Sequence, residues 1–310
     1  MTSLKNDANA KILVVGDTML DRYWFGEVAR ISLEAPVPVV RVERVEERLG
    51  GAANVARNVQ ALGGQAIFLS IVGDDDDGAT VSALLAQSAI EARLHVDREF
   101  VTTTKLRVVG RHQQLLRIDF EDEPSKRALE LNLLDFSNVL PACDAVVFSD
   151  YGKGCLFHVK LMIEMARRQA IPVLVDPKGS DYAKYRGATV VTPNQAELRM
   201  VMGPWRDELG LYSKANIFRQ ELDFDWLLVT RSEDGMTLFS ATEPVHEAAI
   251  AREVFDVSGA GDTVIATLAV MIARGVDVPN AMRLANRAAS VVVGKLGTAT
   301  CSLDELQQAH

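Results

Sequence analysis

The sequence predicts an α/β protein in which helices cover a mostly parallel central sheet. Short apolar runs alternate with amphipathic stretches along nearly all of the 310 residues, a pattern typical of parallel strands packed between helices. Hydrophobic residues make up 48% of the chain and charged residues 24%, the balance of an ordinary globular domain. Since no internal repeat, low-complexity tract or linker interrupts the pattern, we expect one domain over 1–310.

Each short apolar run predicts a buried strand, and each longer amphipathic stretch predicts a helix. The predicted strands cover 12–15, 67–71, 145–148, 173–175, 190–191 and 227–230. The predicted helices cover 52–62, 79–87, 156–168, 195–201, 262–273 and 280–294.

Two segments, 23–46 and 101–120, break this alternation. Both are rich in Val, Thr and Arg, alternate with a period of two, and contain no helix between neighbouring runs. A period of two is typical of half-buried strands. We expect antiparallel strands that stand off the main sheet, either as a small β-flap over a cleft or as an extension of the sheet edge.

The composition argues against several classes of protein. A net charge of −9 without a cluster of Lys and Arg disfavours a nucleic-acid partner, although a few local cations suffice for an anionic substrate. Cys143, Cys155 and Cys301 are too few and too scattered for a disulfide framework or a zinc site. The N-terminus has no apolar signal core, and no apolar run reaches the roughly 18 residues of a membrane span, so we expect a cytoplasmic protein without a membrane partner.

A glycine-rich loop at 256–263, DVSGAGDT, is the most informative feature of the chain. Gly259 and Gly261, on either side of Ala260, allow a tight turn that presents bare N–H groups. Apolar residues at helical spacing follow directly, so the loop predicts a buried helix whose N-terminus attracts an anion. Asp262 would stand beside that anion as a base; in an isolated loop it could equally be an N-cap residue.

A second glycine motif lies at 50–54 and opens the helix predicted over 52–62. Bare backbone at Gly50 and Gly51 lets a polyhydroxylated ligand approach closely, and the Asn54 amide can donate to and accept from its hydroxyls. Small residues also allow two helices to pack tightly, so this motif alone is a weak signal. Neither motif is a nucleotide fingerprint: Val264 replaces the third glycine of a dinucleotide loop, and no P-loop sequence occurs.

The two glycine motifs together resemble those of the ribokinase-like (pfkB-type) carbohydrate kinases, and the resemblance extends over nearly the whole chain. Further matching stretches are VVGD at 14–17 followed by Asp21, VGDD at 72–75, TPNQAE at 192–197 and VTRSEDG at 229–235. The resemblance implies a ribokinase-like three-layer sandwich with a small antiparallel β-flap as a lid. It also implies an enzyme that transfers a phosphoryl group from ATP to a sugar.

Longer strings resemble the heptose 7-phosphate kinase branch of this family. They are DTMLDRYW at 17–24, RISLEAPVPV at 30–39, TKLR at 104–107, SDYGKG at 149–154 and DPKG at 176–179. The branch phosphorylates D-glycero-D-manno-heptose 7-phosphate at its anomeric hydroxyl, and the 1,7-bisphosphate feeds the ADP-heptose of the lipopolysaccharide inner core. Many members carry a C-terminal adenylyltransferase; since the sequence ends at His310, we expect no such fused domain.

The resemblance assigns catalytic and nucleotide roles. Asp262 would deprotonate the acceptor, and the backbone N–H groups of Ala260, Gly261 and Asp262, in the loop that begins at Gly259, would form the anion hole. Asn194 and Glu197 would order Mg²⁺ through water, because Mg²⁺ keeps several waters; otherwise Glu197 lies on a solvated helix face. The residues expected to border ATP are Asn194, Glu197, Thr230, Ser232, Gly235, Gly259 and Asn286.

The substrate offers hydroxyls and a remote phosphate. The expected sugar contacts are Asp17, Asp21, Gly50, Gly51, Asn54 and Asp150, although Asp17 and Asp21 could instead cap the following turn. The expected phosphate contacts are Lys105, Arg107 and Arg117 on the flap, with Lys153 and Lys178 at strand ends. Lys105 and Arg107 are two apart and so share one face of a strand; a solvated face is the alternative.

The resemblance also bears on partners and ions. Relatives commonly pair through their β-flaps, so we expect a homodimer whose interface includes Pro36, Val37, Pro38, Val39 and Val40. Some relatives bind a monovalent cation such as K⁺, for which the candidate residues are Asp256, Ser258, Gly297 and Thr298.

The sequence leaves three alternatives. A related kinase for another sugar fits the same motifs, but a neutral sugar has no use for Lys105 and Arg107. A sugar-binding module without activity would not need Asp262, the loop glycines and Glu197 together. A nicotinamide oxidoreductase fits the alternation of strands and helices but lacks its fingerprint.

Overall fold

The computed structural model describes residues 10–110, 113–250 and 253–309. Positions 111 and 112 of the predicted flap segment 101–120 lie outside the described residues, as do both ends of the predicted domain 1–310.

Thirteen strands occur in the described chain. They are β1 (Lys11–Gly16), β2 (Thr18–Ile31), β3 (Pro38–Gly51), β4 (Gln65–Gly73), β5 (Glu91–Asp97), β6 (Thr104–Gly110), β7 (Gln113–Phe120), β8 (Ala145–Ser149), β9 (Val173–Asp176), β10 (Val190–Val191), β11 (Trp226–Thr230), β12 (Met236–Phe239) and β13 (Val245–Glu247). Nine form the central sheet in the spatial order β13-β12-β11-β10-β9-β8-β1-β4-β5. All neighbours from β5 to β11 pair in parallel, and β12 and β13 continue the sheet antiparallel. The predicted, mostly parallel sheet is therefore confirmed.

Both faces of this sheet are covered. Ile12 and Val14 of β1 pack in one hydrophobic core, whereas Leu13 and Val15 pack in the other. Successive strand residues point to opposite faces, so two apolar cores on one strand require a layer of helices on each side. The result is the predicted three-layer sandwich.

The described helices include all six predicted ones, with shifted ends. They are α1 (Ala52–Ala61), α2 (Asp76–Gln87), α3 (Lys126–Val139), α4 (Val159–Arg168), α5 (Gln195–Met202), α6 (Glu208–Glu221), α7 (Ala260–Ala273), α8 (Val278–Val292) and α9 (Leu303–Gln308). The sequence reading missed α3, α6 and α9; α6, for example, exposes Leu209 and Ile217, which blurs its apolar stripe. No helix in the three described ranges has the length and apolar character of a membrane span.

The helix predicted over 156–168 begins later than expected. The preceding loop folds around the Asp17 side chain, which accepts hydrogen bonds from the backbone N–H groups of Tyr151, Lys153 and Cys155. The next residues form tight turns, in which the Phe157 N–H donates to the Gly154 carbonyl and the Val159 N–H donates to the Leu156 carbonyl, so α4 begins only at Val159.

A second sheet, the flap, consists of β3, β2, β6 and β7 in that spatial order. The outer pairs β2–β3 and β6–β7 are antiparallel, as predicted, and a parallel pair, β2–β6, joins them. The strands are longer than predicted, so Gly50 and Gly51 belong to the end of β3. Asp21, Lys105 and Asp119 are paired in register across the flap, and so are Tyr23, Arg107 and Arg117, which puts these polar groups on one face.

Candidate active site

The N-terminus of α7 forms the base of the site. Gly259 precedes the helix in the left-handed conformation, with φ of 78°, and a Cβ there would lie 2.8 Å from Nδ2 of Asn54. Among the described residues no side chain caps the helix, and a Cβ on Gly261 would meet no atom of theirs within 4 Å. Uncapped N–H groups at a helix start, with open space beside Gly261, form a cradle for an anion. The Ala260 N–H, which was expected to belong to this cradle, instead donates to the Val257 carbonyl at 3.2 Å, because the chain turns there into α7.

Asp262 lies in the first turn of α7 and is only 3% exposed. Its Oδ2 accepts a hydrogen bond of 2.7 Å from Nδ2 of Asn54, and its Oδ1 accepts one of 2.6 Å from the Tyr151 hydroxyl. Burial raises the pKa of Asp262, while these two donors and Lys105 lower it and Asp21 raises it further. The carboxylate is thus held in one orientation at the helix start.

Asp21 and the second glycine motif lie beside this carboxylate. The Asp21 side chain is buried and pairs with the Arg107 guanidinium. A Cβ on Gly50 would lie 2.3 Å from Oδ2 of Asp21, so any side chain there would displace the Asp21 carboxylate. Gly51 has φ of 59° and precedes α1, which carries Asn54. Oδ1 of Asn54 is buried and has no hydrogen-bond partner among the described residues.

Asp17 and Asp150 directly follow two neighbouring strands, and both side chains are hydrogen-bonded to other groups of the protein. Asp17 binds the three amides of the loop before α4, and its side chain therefore shapes that loop. Asp150 accepts hydrogen bonds from Nζ of Lys184 at 2.7 Å, from the Tyr185 hydroxyl at 2.6 Å and from the Gly152 N–H at 2.7 Å. The structure thus puts both predicted sugar contacts at the carboxyl edge of the sheet, with internal partners that the sequence did not indicate.

The five predicted phosphate-binding cations differ in their surroundings. Arg107 pairs with Asp21, Arg117 with Asp119, Lys153 with Glu121 and Lys178 with Glu197. Lys105 forms no ion pair within the described chain; its Nζ lies 5.8 Å from the centroid of the Tyr151 ring. Burial lowers the pKa of Lys105, with Asp21 opposing this effect. Lys105 is thus the predicted cation that is free to bind an anion.

Asn194 and Glu197 form a capping box at the start of α5. The Glu197 N–H donates to Oδ1 of Asn194 at 2.9 Å, and the Asn194 N–H donates to Oε2 of Glu197 at 3.1 Å. The other Glu197 oxygen accepts from Nζ of Lys178 at 2.9 Å. No cluster of three potential metal-ligating side chains occurs within 10–110, 113–250 and 253–309. These residues therefore fit only an ion whose other ligands come from substrate and water.

The predicted nucleotide contacts lie around the end of β11. Thr230 and Asn194 form an isolated parallel β-bridge, so these two predicted nucleotide contacts are adjacent. Ser232 has φ of 49° and Gly235 has φ of 87°; a Cβ on Gly235 would lie 2.1 Å from the Glu247 carbonyl oxygen. Asn286 of α8 donates to the Ala248 carbonyl at 2.7 Å, so its amide anchors the segment after β13.

The candidate cation loop is closed by Asp256. Its carboxylate accepts hydrogen bonds of 2.9 Å from the N–H groups of Ser258 and Gly297, and these bonds lower its pKa against the opposing effect of burial. The adjoining cavity, of about 990 Å³, lies between this loop and the flap. Its lining includes Tyr23, Arg48, Asp256, Leu296 and Gly297.

The sequence reading missed two residues of the site. Tyr151 hydrogen-bonds Asp262, and only its place in the string SDYGKG pointed to it. Asp176 ends β9 in a half-buried position; desolvation raises its pKa strongly, and Asp262 and Glu197 add to the effect. Acids at the carboxyl ends of parallel strands face the cleft, and this signal in the sequence points to Asp176 as well as to Asp150.

Comparisons with known proteins agree with this geometry. The family model described as pfkB family carbohydrate kinase matches residues 9–305. The D-beta-D-heptose 7-phosphate kinase of Bordetella bronchiseptica is 55% identical over 299 residues, which is 96% of each chain. The Bifunctional protein HldE of Aliivibrio fischeri is 51% identical over 308 residues, and the chain spans 65% of its length.

Two solved structures with low sequence identity have the same fold. Phosphofructokinase-2 from Escherichia coli in complex with potassium has a TM-score of 0.81 and 18% identity, with 98% of both chains covered. Arabidopsis thaliana ribokinase complexed with ribose and ATP has a TM-score of 0.77 and 20% identity, with 98% of this chain and 99% of that one covered. The ribokinase-like fold and the family resemblance are thereby confirmed, and the chain belongs to the pfkB family of carbohydrate kinases.

Proposed function

We propose that the protein transfers the γ-phosphoryl group of ATP to the anomeric C1 hydroxyl of D-glycero-D-manno-heptose 7-phosphate, giving the 1,7-bisphosphate. The cytoplasmic product would enter ADP-heptose synthesis for lipopolysaccharide. The observation that carries this proposal is the buried Asp262 at the N-terminus of α7, close to Lys105, a cation without an ion pair in the described ranges. The 55% identity to a D-beta-D-heptose 7-phosphate kinase supports the choice of sugar.

Proton removal is the proposed role of Asp262. As the C1 oxygen forms its bond to the γ-phosphorus, the hydroxyl proton passes to the Asp262 carboxylate, the bond from γ-phosphorus to the bridging oxygen breaks, and ADP leaves. Base catalysis of this kind contributes about 10²–10⁴-fold. The N–H groups of Gly261 and Asp262, together with the turn at Gly259 and Ala260, would stabilise the charge on the transferring group.

Sugar binding is proposed for the polar groups around Asp262. The buried Oδ1 of Asn54 lacks a partner among the described residues, so a sugar hydroxyl that donates to it would satisfy it. Bare backbone at Gly50 and Gly51 leaves room for the ring, and Asp21 adds an acceptor. Asp17 and Asp150 would act on the sugar mainly by holding the loop after β8.

The 7-phosphate is proposed to bind the flap cations. Lys105 and Arg107 lie on the same face of β6, and Arg117 is directly opposite Arg107 on β7. Lys105 would contribute most, because no carboxylate has to be displaced from it. Lys153 and Lys178 would serve the ATP phosphates or the substrate from the strand ends.

ATP and its metal ion are proposed to lie along β11 and the start of α5. Thr230, Ser232, Gly235 and Asn286 would border the nucleotide, with Asn194 and Glu197 reaching Mg²⁺ through water. When bound, Mg²⁺ would neutralise phosphate charge. A monovalent cation such as K⁺ would occupy the loop closed by Asp256; replacing K⁺ by a quaternary ammonium salt in the assay tests this.

A homodimer is proposed through the apolar face of the flap. Trp24, Val45, Val108 and Leu116 are paired in register, and Phe120 lies four residues further along β7 on the same face. Val45 is 52%, Leu116 54% and Phe120 48% exposed, a large apolar surface for a lone chain. A second copy would also cover the exposed Val37 and the half-buried Val39 and Val40.

The dimer is tested by sedimentation. Leu116→Asp should give monomers, whereas Val96→Asp, on the edge of the central sheet, should leave the dimer intact. A monomeric wild type would refute the dimer.

The substrate is tested by incubating the protein with ATP, Mg²⁺ and a panel of sugars, and detecting the product by ³¹P NMR. Heptose 7-phosphate should be converted to the 1,7-bisphosphate far faster than the neutral heptose or fructose 6-phosphate. Lys105→Met should raise KM for the phosphorylated heptose and leave the slow reaction of the neutral sugar unchanged. Equal turnover of the neutral heptose would favour the alternative, a kinase for another sugar.

A further inference from the structure

We propose that Tyr151 is a positioning residue whose hydroxyl fixes the orientation of the Asp262 carboxylate toward the acceptor hydroxyl. This inference rests on the proposed role of Asp262 as the base. The hydrogen bond of 2.6 Å joins the Tyr151 hydroxyl to Oδ1, opposite the bond from Asn54 to Oδ2. Two donors, one on each oxygen, define the plane of the carboxylate.

The backbone of Tyr151 is itself fixed. Its N–H donates to Oδ2 of Asp17 at 2.9 Å, and Lys153 and Cys155 donate to the same carboxylate. Gly152 and Gly154, with φ of 70° and 94°, allow the chain to curl around Asp17. The end of β1 therefore determines, through this loop, where the phenol meets the base.

Tyr151 can interact with Asp262 only as a donor. Burial raises the pKa of its hydroxyl well above the usual value, and the Asp262 charge raises it further, so the phenol keeps its proton. A phenol that donates to an ionised carboxylate stabilises the charged form, which a base needs. The other groups that act on Asp262 are Asn54 and Lys105, which lower its pKa, and Asp21, which raises it, while Asp176 interacts with the Asp262 charge from β9.

A role in packing alone would use the ring and not the hydroxyl. Tyr151→Phe distinguishes packing from hydrogen bonding, because it removes the hydroxyl but keeps the ring and the hydrogen bond from the backbone N–H to Asp17. Tyr182→Phe is the matched control: Tyr182 is buried, and its hydroxyl has no hydrogen-bond partner among the described residues.

The test is kcat/KM against pH with heptose 7-phosphate and ATP for wild type, Tyr151→Phe and Tyr182→Phe. In Tyr151→Phe the Asp262 carboxylate loses a hydrogen bond, so the acidic limb of the kcat/KM profile should move to higher pH by about one to two pH units. Because a carboxylate with one fixed oxygen is less well aligned, kcat on the plateau should fall by about tenfold or more, with KM little changed. Tyr182→Phe should keep the wild-type limb and plateau.

An unshifted limb in a folded Tyr151→Phe protein would overturn the inference. If Tyr151→Phe does not fold, a ring-fluorinated tyrosine at position 151 keeps the shape and strengthens the donor; the limb should then move to lower pH, and an unmoved limb again refutes the proposal. Asp262→Asn separates the two proposals. If it stays active, the proposed base is wrong; if it is inactive while Tyr151→Phe behaves as wild type, only the role of Tyr151 fails.

Discussion

Asp262→Asn tests the proposed chemistry most directly, since it removes the base and keeps the shape of the side chain. An amide cannot take the hydroxyl proton, so the whole contribution of base catalysis is lost. That contribution is about 10²–10⁴-fold in kcat, or about 3–5 kcal/mol of barrier. The helix N-terminus and the bound substrates remain, so a residual rate should persist.

The structure indicates that the variant protein will fold. The Tyr151 hydroxyl can still donate to the oxygen of the new amide, whereas its NH₂ group would face Nδ2 of Asn54. A half-turn of the Asn54 amide resolves this conflict, because Oδ1 of Asn54 has no hydrogen-bond partner in the described chain and can accept from the new NH₂ group. We therefore expect a melting temperature close to that of wild type.

The assay is steady-state turnover of heptose 7-phosphate and ATP, with ATP affinity measured separately by calorimetry. The expected result is a fall of kcat by about two orders of magnitude or more, with ATP affinity nearly unchanged. A folded Asp262→Asn protein with kcat within about tenfold of wild type would refute the assignment of Asp262 as base.

Three further predictions concern the surroundings of this carboxylate. As the pH is lowered, the wild-type kcat/KM should begin to fall at a pH above the ordinary titration range of an aspartate, because burial raises the pKa of Asp262 and protonation removes the base. A kcat/KM that stays constant down to the ordinary aspartate range would contradict this. Gly50→Ala should raise KM for the heptose while the melting temperature changes little, since its Cβ would push Asp21 out of place; an unchanged KM would mean that Asp21 does not bind the sugar. Asp17→Asn should lower the free energy of unfolding by about 1.5–3 kcal/mol, because all three N–H groups of the loop after β8 lose a charged acceptor and at least one is left facing the new NH₂ group. A chemical denaturation curve identical to wild type would show that the loop does not depend on Asp17.

Much of the fold follows from local patterns in the sequence. Six of the seven parallel strands are short, apolar and largely buried, so their runs are clear, and the glycines before α1 and α7 mark both loops of the site. β5 escaped prediction because it is the edge strand and most of its residues are exposed or half-buried, which leaves no apolar run. α6 escaped prediction because its exposed Leu209 and Ile217 disturb the amphipathic pattern. β12 and β13 escaped because they are short antiparallel additions of four and three residues at the sheet edge.

The sequence predicted most residues of the candidate site, but not the hydrogen bonds that join them. Asp262, Asn54 and Lys105 were all expected near the ligand. The hydrogen bonds from Asn54 and Tyr151 to Asp262 join residues 208 and 111 positions apart, and no local pattern encodes such contacts. The same holds for Asp17, whose role depends on amides more than 130 positions away.

The pairing of the flap cations indicates how the enzyme would distinguish a phosphorylated sugar from a neutral one. Arg107 is partly buried and bound to Asp21, so a phosphate must share or displace that carboxylate, and much of its attraction is offset. Lys105 has no such partner in the described chain, and its partial burial makes the unpaired charge costly until an anion arrives. Binding the phosphate therefore removes the unfavourable free energy of the partly buried Lys105 charge, whereas binding a neutral sugar does not.

Selectivity should thus depend on Lys105 more than on Arg107, and Lys105→Met should reduce the preference for the phosphorylated heptose more than Arg107→Met does. The reverse order would show that the phosphate replaces Asp21 as the partner of Arg107.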